Sequence, residues 1–187
     1  MKTEWNTETA EWYAEQYGDY PTNRLAVNEI DIADGSIIID IGCGTGSALR
    51  HVSTKIKDGS LVGIDPVPRM IEIARELTEH HTSKCSITFK IGSAEDIPLK
   101  DDLADIVFAF DSIDHWQNID KGLEEIGRII KLGGKLIVVK DLSVPGSKKS
   151  LKKLAAKLRD SGFSCLEQRE IKSDDVKFYL IILKFTD

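Results

Sequence analysis

The eight residues Ile39-Asp40-Ile41-Gly42-Cys43-Gly44-Thr45-Gly46 are the part of the chain best suited to hold a ligand. They follow an apolar run and precede a helix-period stretch, the context in which a Gly-rich loop carries meaning. Glycines at 42, 44 and 46 let the backbone come close to a ligand, with positive φ at little steric cost. The helix N-terminus beyond them offers unpaired N–H groups. The spacing separates ligand classes: a dinucleotide fingerprint needs a third glycine at 47, where Ser47 stands. A GxGxG loop preceded by Asp40 suits a ligand without a pyrophosphate. For the glycines alone, a plain strand–helix turn is the competing reading.

A second carboxylate favours the ligand. Leu61-Val62-Gly63-Ile64-Asp65 places an acid at the end of the next strand, nineteen residues beyond Gly46. In a doubly wound sheet that position faces a ribose bound over the first loop, and a carboxylate accepts hydrogen bonds from both hydroxyls. Pro66 follows and suits a first helical position, so a capping role for Asp65 competes or coexists. His80, His81 and Cys85 straddle a helix end and lack a fourth partner, so no metal is expected there. Cys43, Cys85 and Cys165 form no CxxC and are odd in number, which argues against a disulfide framework or a structural zinc.

The elements that must position these residues alternate along the chain. Ser36–Ile41 is a continuous β-branched run, as in a strand buried on both faces. The expected order continues with a helix over Gly46–Lys55, a strand over Ser60–Ile64, a helix over Pro66–His81 and a strand over Ser86–Ile91. A strand over Ala104–Phe110 follows, then a helix over Ile119–Ile130 closed by Gly133-Gly134, and a strand over Lys135–Val139. After Pro145-Gly146 come a Lys-rich helix over Ser147–Asp160 and two strands, Cys165–Ile171 and Val176–Phe185, joined as a hairpin by Lys172–Asp175. Such alternation implies an α/β fold, a parallel sheet with helices on both faces and one antiparallel strand from the hairpin. In the basic helix Lys148, Lys149, Lys152, Lys153, Lys157 and Arg159 oppose Leu151, Leu154, Ala155 and Leu158, which reads as a solvated outer face.

The chain has 187 residues and a formal net charge of −6, with 41% hydrophobic and 30% charged residues. That suits a single globular domain over 1–187 with a real core, and excludes a disordered tail. No apolar run approaches the length a bilayer requires, so no stable membrane insertion is expected. The acidic balance, with a pI near 5.3, argues against a nucleic-acid partner. The N-terminus lacks a signal-peptide core, so the expected location is cytoplasmic. Five of the thirteen aromatics, Trp5, Trp12, Tyr13, Tyr17 and Tyr20, lie in the first twenty residues, outside the alternating pattern. Spacing puts Trp12/Tyr13, Tyr17 and Tyr20 on one helical face.

Together IDIGCGTG, GIDP, IGSAEDIPLKDDLADIVFAFDSIDHW and EIGRIIKLGGKLIVV, in that order, resemble the class I S-adenosylmethionine-dependent methyltransferases. Within that family the similarity is to the small-molecule branch of ubiquinone/menaquinone-biosynthesis methyltransferases. The motifs span about Ile37 to Val139. The resemblance implies a Rossmann-like seven-stranded sheet of order 3-2-1-4-5-7-6, with strand seven antiparallel. It implies S-adenosylmethionine as cofactor and a small-molecule methyl acceptor. Asp40 and the backbone of Gly42, Cys43, Gly44 and Gly46 would hold the methionine part, and Asp65 with Pro66 the ribose. Met70 would pack beside the adenine, with a helix-face core position as the competing reading, and Ser93, Ala94 and Glu95 would meet the adenine edge. Many relatives have Asp where Ser93 stands, which departs from the family pattern.

Phe110 and Asp111 would lie next to the reacting methyl, with Asp114, His115 and Trp116 lining the acceptor side. FDSID is not the Asp/Asn-Pro-Pro-aromatic motif of the amino-methylating DNA enzymes. Leu132-Gly133-Gly134 replaces the commoner Pro-Gly-Gly. The sulfonium is already activated, so catalysis is largely positioning. If the acceptor must lose a proton, His115 is the first candidate base, with Asp111 and Asp114 behind it. A helix-capping or rim position is the plain alternative for His115. Residues 1–33 are expected to form a helical lid over a core of 34–187, with Tyr13, Tyr17 and Tyr20 reaching the site; packing on the sheet edge is the alternative. A non-catalytic cofactor-binding or accessory subunit is the principal functional alternative, and a nicotinamide oxidoreductase is disfavoured by Ser47. Oligomeric state is left open.

Overall fold

The structure, a computed structural model, describes residues 6–143, 147–173 and 176–186. Trp5, the Pro145-Gly146 turn, the tip of the C-terminal hairpin and the side chains of Lys148, Lys149, Lys152 and Lys153 lie outside the described residues.

In chain order the elements are α1 (Thr7–Tyr17), α2 (Pro21–Asn28), β1 (Ile37–Ile41), α3 (Ser47–Lys55), β2 (Ser60–Asp65), α4 (Pro68–Glu79) and β3 (Ser86–Ile91). Then come β4 (Ala104–Phe110), a 3-10 turn (Ile113–His115), α5 (Ile119–Ile129), β5 (Ile130–Asp141), α6 (Ser147–Asp160), β6 (Phe163–Ser173) and β7 (Val176–Phe185). The seven strands form one sheet of order β3-β2-β1-β4-β5-β7-β6. Pairings are parallel from β3 through β5, while β7 runs antiparallel to both β5 and β6. The expected architecture is therefore the observed one.

The largely apolar character of β1 and β4, interrupted only by Asp40 and Asp105, follows from cover on both faces. Alternate residues serve two cores. Ile38, Leu61, Ile106, Phe108 and Phe110 pack under α2, α3 and α4 with Ala26, Val27, Leu49, Val52 and Ile71. Ile39, Ile41, Val62, Val107 and Ala109 pack on the other face against Leu123, Ile126 and Ile129 of α5 and Leu151, Leu154 and Leu158 of α6. No described helix is long and apolar enough to cross a membrane.

Several boundaries differ from expectation. Helix α4 starts at Pro68, with Val67 rather than Asp65 as its N-cap. Helix α5 ends at Ile129 and runs directly into β5, so Gly133-Gly134 does not close it. Those glycines sit in a bulge of β5: Ala104 pairs with Ile130 and Ile106 with Lys135, leaving four residues opposite Asp105. Gly133 takes φ +82 there, which a side chain would resist. The N-terminal segment is two helices, not one. Pro21 opens α2, and the residue before a proline is pushed to extended geometry, here Tyr20 at φ −65, ψ 136. Tyr20 thus leaves the α1 face. Its ring still reaches Tyr17 at 6.0 Å, and Tyr17 reaches Tyr13 at 5.2 Å.

Candidate functional site

The sheet order places β4 on one side of β1 and β2 on the other, so connections depart in opposite directions and leave a crevice at the strands' carboxyl ends. The glycine loop fills that crevice. Its start is pinned to the neighbouring strand, since the N–H groups of Gly42 and Cys43 both donate to Ile64 O, at 2.8 and 3.0 Å. Gly42 has φ +74, and a Cβ there would lie 2.5 Å from Ser112 Cβ. Ser112 itself donates to Ile41 O at 2.6 Å, so the loop after β4 is tied under the loop after β1. At Gly44, φ +52, a Cβ would meet nothing within 4 Å. There the missing side chain leaves room on the open side of the loop.

Asp65 holds this loop in place. Its Oδ2 accepts from Gly44 N–H at 3.0 Å, and its Oδ1 from Val67 N–H at 2.9 Å. Burial raises its carboxyl above the usual range, partly offset by those two donors. Both oxygens retain a further lone pair for a ligand hydroxyl.

Asp40 behaves differently. It is 2% exposed and its Oδ1 has no hydrogen-bond partner. Burial, and then the nearby Asp65, push its carboxyl up to about 7. A buried acceptor left unpaired is costly and calls for an explanation. A cationic ligand group would supply the partner.

Two cavities meet at the loop. The larger, about 370 Å³, is lined by Tyr13, Ile41, Gly42, Gly44, Asp65, Pro66, Val67, Met70, Ser93, Ala94, Glu95, Phe110, Asp111, Ser112, His115, Trp116 and Gln117. The smaller, about 60 Å³, shares Tyr13, Gly42, Gly44, Phe110 and Asp111 and adds Asp40, Cys43, Thr45, Tyr17, Tyr20, Thr22 and Asn23. Of the residues singled out in the sequence, Gly46 and Asp114 line neither. Gly46 is the N-cap of α3. Asp114 pairs with the buried Lys140 of β5. His81 lies 2.7 Å from Ser53 Oγ, away from both cavities.

The sequence reading missed Thr22 and Asn23 of α2, Thr45, Ser112, Val67 and Gln117. Thr22 is 1% exposed with its Oγ1 unpaired, and Trp116 Nε1 is likewise buried without a partner. Nothing local marks Thr22; only the packing of α2 over the loop brings it opposite Asp40.

Asp111 occupies the seam between the cavities. It adopts φ +51, a left-handed conformation Asp tolerates better than most residues. Its N–H donates to Val139 O at 3.0 Å, and its Oδ1 accepts from Asp141 N–H at 2.5 Å. Burial raises its carboxyl to about 6, against the lowering effect of the Asp141 N–H.

These features fit S-adenosylmethionine. The unpaired Asp40 oxygen matches an amino-acid ammonium, the gap at Gly44 admits a close approach, and the buried Asp65 lines the larger cavity, where a ribose would meet it. The family profile described as a methyltransferase domain matches residues 39–138, slightly more than half of the chain. A ubiquinone/menaquinone biosynthesis C-methyltransferase of a Geobacter species is 32% identical over 123 residues, covering 65% of this chain and 52% of the relative. The ajmaline N-methyltransferase of Rauvolfia serpentina is 32% identical over 119 residues, covering 62% and 40%. The chain thus spans about half the length of these curated relatives. A SAM-dependent methyltransferase from Aquifex aeolicus shares the fold at a TM-score of 0.81 and 18% identity, covering 98% of this chain and 100% of that one. The chain therefore belongs to the methyltransferase domain family of class I, S-adenosylmethionine-dependent enzymes.

Proposed function

We propose that this protein transfers a methyl group from S-adenosylmethionine to a small-molecule acceptor. The observation that carries this reading is the buried Asp40 with one unpaired oxygen, set beside a glycine loop open at Gly44. Asp40 and the Gly42–Gly46 backbone hold the methionine part, with Thr22 and Asn23 on the opposite wall. Asp65 and Pro66 receive the ribose. Met70 packs against the adenine, and Ser93, Ala94 and Glu95 meet its edge; Glu95 is held in place by Asn118 N–H at 2.9 Å. The cofactor supplies an activated methyl on a sulfonium, so the protein's work is to align the acceptor and exclude water. Helix α1 serves as the lid, bringing Tyr13 against both cavities and Tyr17 against the smaller one. Asp111 and His115 are the groups placed to receive a proton.

The acceptor is a small molecule rather than a nucleic acid, a view supported by the chain's net charge of −6. Three unpaired cysteines suit a reducing cytoplasm. The relatives' names include C- and N-methyltransferases, and so do not select the atom methylated.

Calorimetry is the test. S-adenosylmethionine and S-adenosylhomocysteine should bind, and NAD weakly or not at all; tighter binding of NAD would overturn the reading. Asp65→Ala should weaken S-adenosylhomocysteine binding by about 1.5–3 kcal/mol, the scale of hydrogen bonds to a charged group. Unchanged binding with a lowered melting temperature would mean that Asp65 only anchors Gly44 and Val67.

A further inference from the structure

We propose that Ser93 makes the base pocket select its ligand by shape rather than by the 6-amino group, so that the site takes a purine nucleoside lacking that amine nearly as well as adenosine. The proposal rests on the methyl-transfer reading above and names the base specificity of that same site.

The sheet fixes where the base falls. Asp65 ends β2, and its partner in register, Ile91, ends β3. Gly92 N–H donates to Asp65 O at 3.2 Å, so the chain leaving β3 starts beside the residue that receives the ribose. A base attached to that ribose and extending from β2 towards β3 meets Ser93, Ala94 and Glu95 on the wall of the larger cavity. That wall is pinned from behind by α5. Glu125 accepts from Ile97 N–H at 2.9 Å, and Arg128 donates to the carbonyls of Ile97 and Leu99 at 2.9 and 2.8 Å. The segment also folds tightly on itself: a Cβ on Gly92 would lie 2.6 Å from Pro98 Cδ.

A carboxylate is the side chain that reads an amine most strongly. The carboxylates among the described residues lining this cavity are Asp65, Glu95 and Asp111. Asp65 serves the ribose, and Asp111 sits at the seam with the smaller cavity. Glu95 is left, and it is already engaged. Its Oε1 accepts at 2.9 Å from the N–H of Asn118, the N-cap of α5. Burial alone would raise its carboxyl; the N–H groups of Asn118 and of Glu95 itself, the Ser93 hydroxyl and the Gln117 N–H hold it below the ordinary range. Those donors match the roughly four acceptor sites of a carboxylate. Glu95 therefore clasps the turn into α5, near the positive end of that helix, and has no oxygen to spare for a base.

Ser93 is then the polar side chain at the base edge. Its hydroxyl is neutral, rotates, and offers one donor and two acceptor sites. It can accept from a 6-amino group. Where the amine is missing, no charge is stranded, because the proton of the hydroxyl stays with Glu95. Gln117, exposed at the mouth, carries an amide that turns either its carbonyl or its NH2 inward. The remaining walls are apolar. Val67, Met70 and Ala94 are buried, and the Trp116 ring lies against Gly122, where a Cβ would stand 2.7 Å from Trp116 Cε3. Such walls hold a flat ring by contact area, which a single amine changes little.

The test is calorimetry on the full chain with S-adenosylhomocysteine and its 6-deamino analogue, in which hydrogen replaces the 6-amino group of the base. The analogue should bind within about fivefold of the parent, the scale of a hydrogen bond between neutral groups. A larger loss, the scale set by a charged acceptor, would overturn the proposal. Ser93→Asp puts a carboxylate at the base edge and should shift the ratio to about tenfold or more in favour of the amine. A folded Ser93→Asp variant with an unchanged ratio would overturn the placement of the base. If that variant does not fold, Glu95→Gln decides. It should lower the melting temperature and weaken both ligands alike, whereas a loss confined to the parent compound would show that Glu95 reads the amine and would overturn the proposal. Failure of S-adenosylhomocysteine itself to bind would remove the methyl-transfer reading and this proposal with it; normal binding with a strong preference for the amine removes the base specificity alone.

Discussion

Helices α1 and α2 are neighbours in sequence and both border the site, yet they are anchored in different ways. Ala26 and Val27 of α2, and Ile30 just beyond it, are buried in the main core cluster with α3 and the sheet. The Lys55 ammonium reinforces this end by donating to the carbonyls of Val27 and Ile30. Of the described residues in α1, only Ala10 is fully buried, in a small separate cluster with Val67 and Met70. Tyr13 packs half-buried against the same cluster, and the surface pair Glu11–Arg69, at 3.0 Å, also joins α1 to α4. The joint between the two helices is fixed: Thr45 Oγ1 donates to Gly18 O at 2.6 Å, and Ser47 Oγ to Asp19 Oδ1 at 3.1 Å. A segment that is continuous in sequence thus divides, at Gly18, into a part set in the main core and a part with few buried contacts. Elements with few buried contacts open at lower free energy, and lids come from that end of the range.

Ile30→Ala sharpens the contrast most. Loss of a fully buried isoleucine costs about 2–5 kcal/mol, so thermal unfolding should drop by many degrees. Removing residues 1–17 should do the opposite. The sheet domain should melt within a few degrees of the full chain, while turnover falls about a hundredfold or more and cofactor binding weakens. Hydrogen exchange over residues 7–17 should slow on adding S-adenosylhomocysteine, whereas residues 21–28 should be protected in both states. Equal protection of both helices with and without ligand would erase the distinction.

A smaller effect concerns the charge that α2 and the loop enclose. Burial penalises the ionised Asp40, so its contribution to stability is greatest below the ordinary carboxylate range and is lost as pH rises from about 4 through 7. Pairing with a ligand ammonium needs the ionised form. Affinity for S-adenosylhomocysteine should therefore rise about tenfold between pH 6 and pH 8, and Asp40→Asn should flatten that rise; an unaltered profile in the variant would assign the titration elsewhere. Smallest of all is Glu11→Gln. Its partner Arg69 is half-buried but also bound by Glu72 and Glu76, and all three acids are exposed, so the melting temperature should not measurably change.

Much of the molecule was legible in the sequence because the signals are local. Ile37–Ile41 and Ala104–Phe110 are apolar at every position but Asp40 and Asp105, without alternation, which suits a strand covered on both faces. The spacing of Gly42, Gly44 and Gly46 after a strand, with Asp65 at the end of the next, depends on residues the chain itself places in order. What pairing across the sheet decides carries no such local trace. Gly133-Gly134 read as a helix stop, yet it is a bulge created by the register of β5 against β4. Asp114 read as a wall of the acceptor site, and its ion pair with the Lys140 ammonium, arriving from another strand, has no trace in the local sequence. Tyr20 left the α1 face because Pro21 begins a new helix, but ring packing returned it to Tyr17. Thr22 faces the Asp40 cavity only because α2 docks beside the glycine loop. Periodicity and motif spacing report what a residue does with its near neighbours. Which distant group completes a charge, a hydroxyl or a turn is settled when the core closes, because only then do the low-dielectric surroundings make an unpaired partner costly.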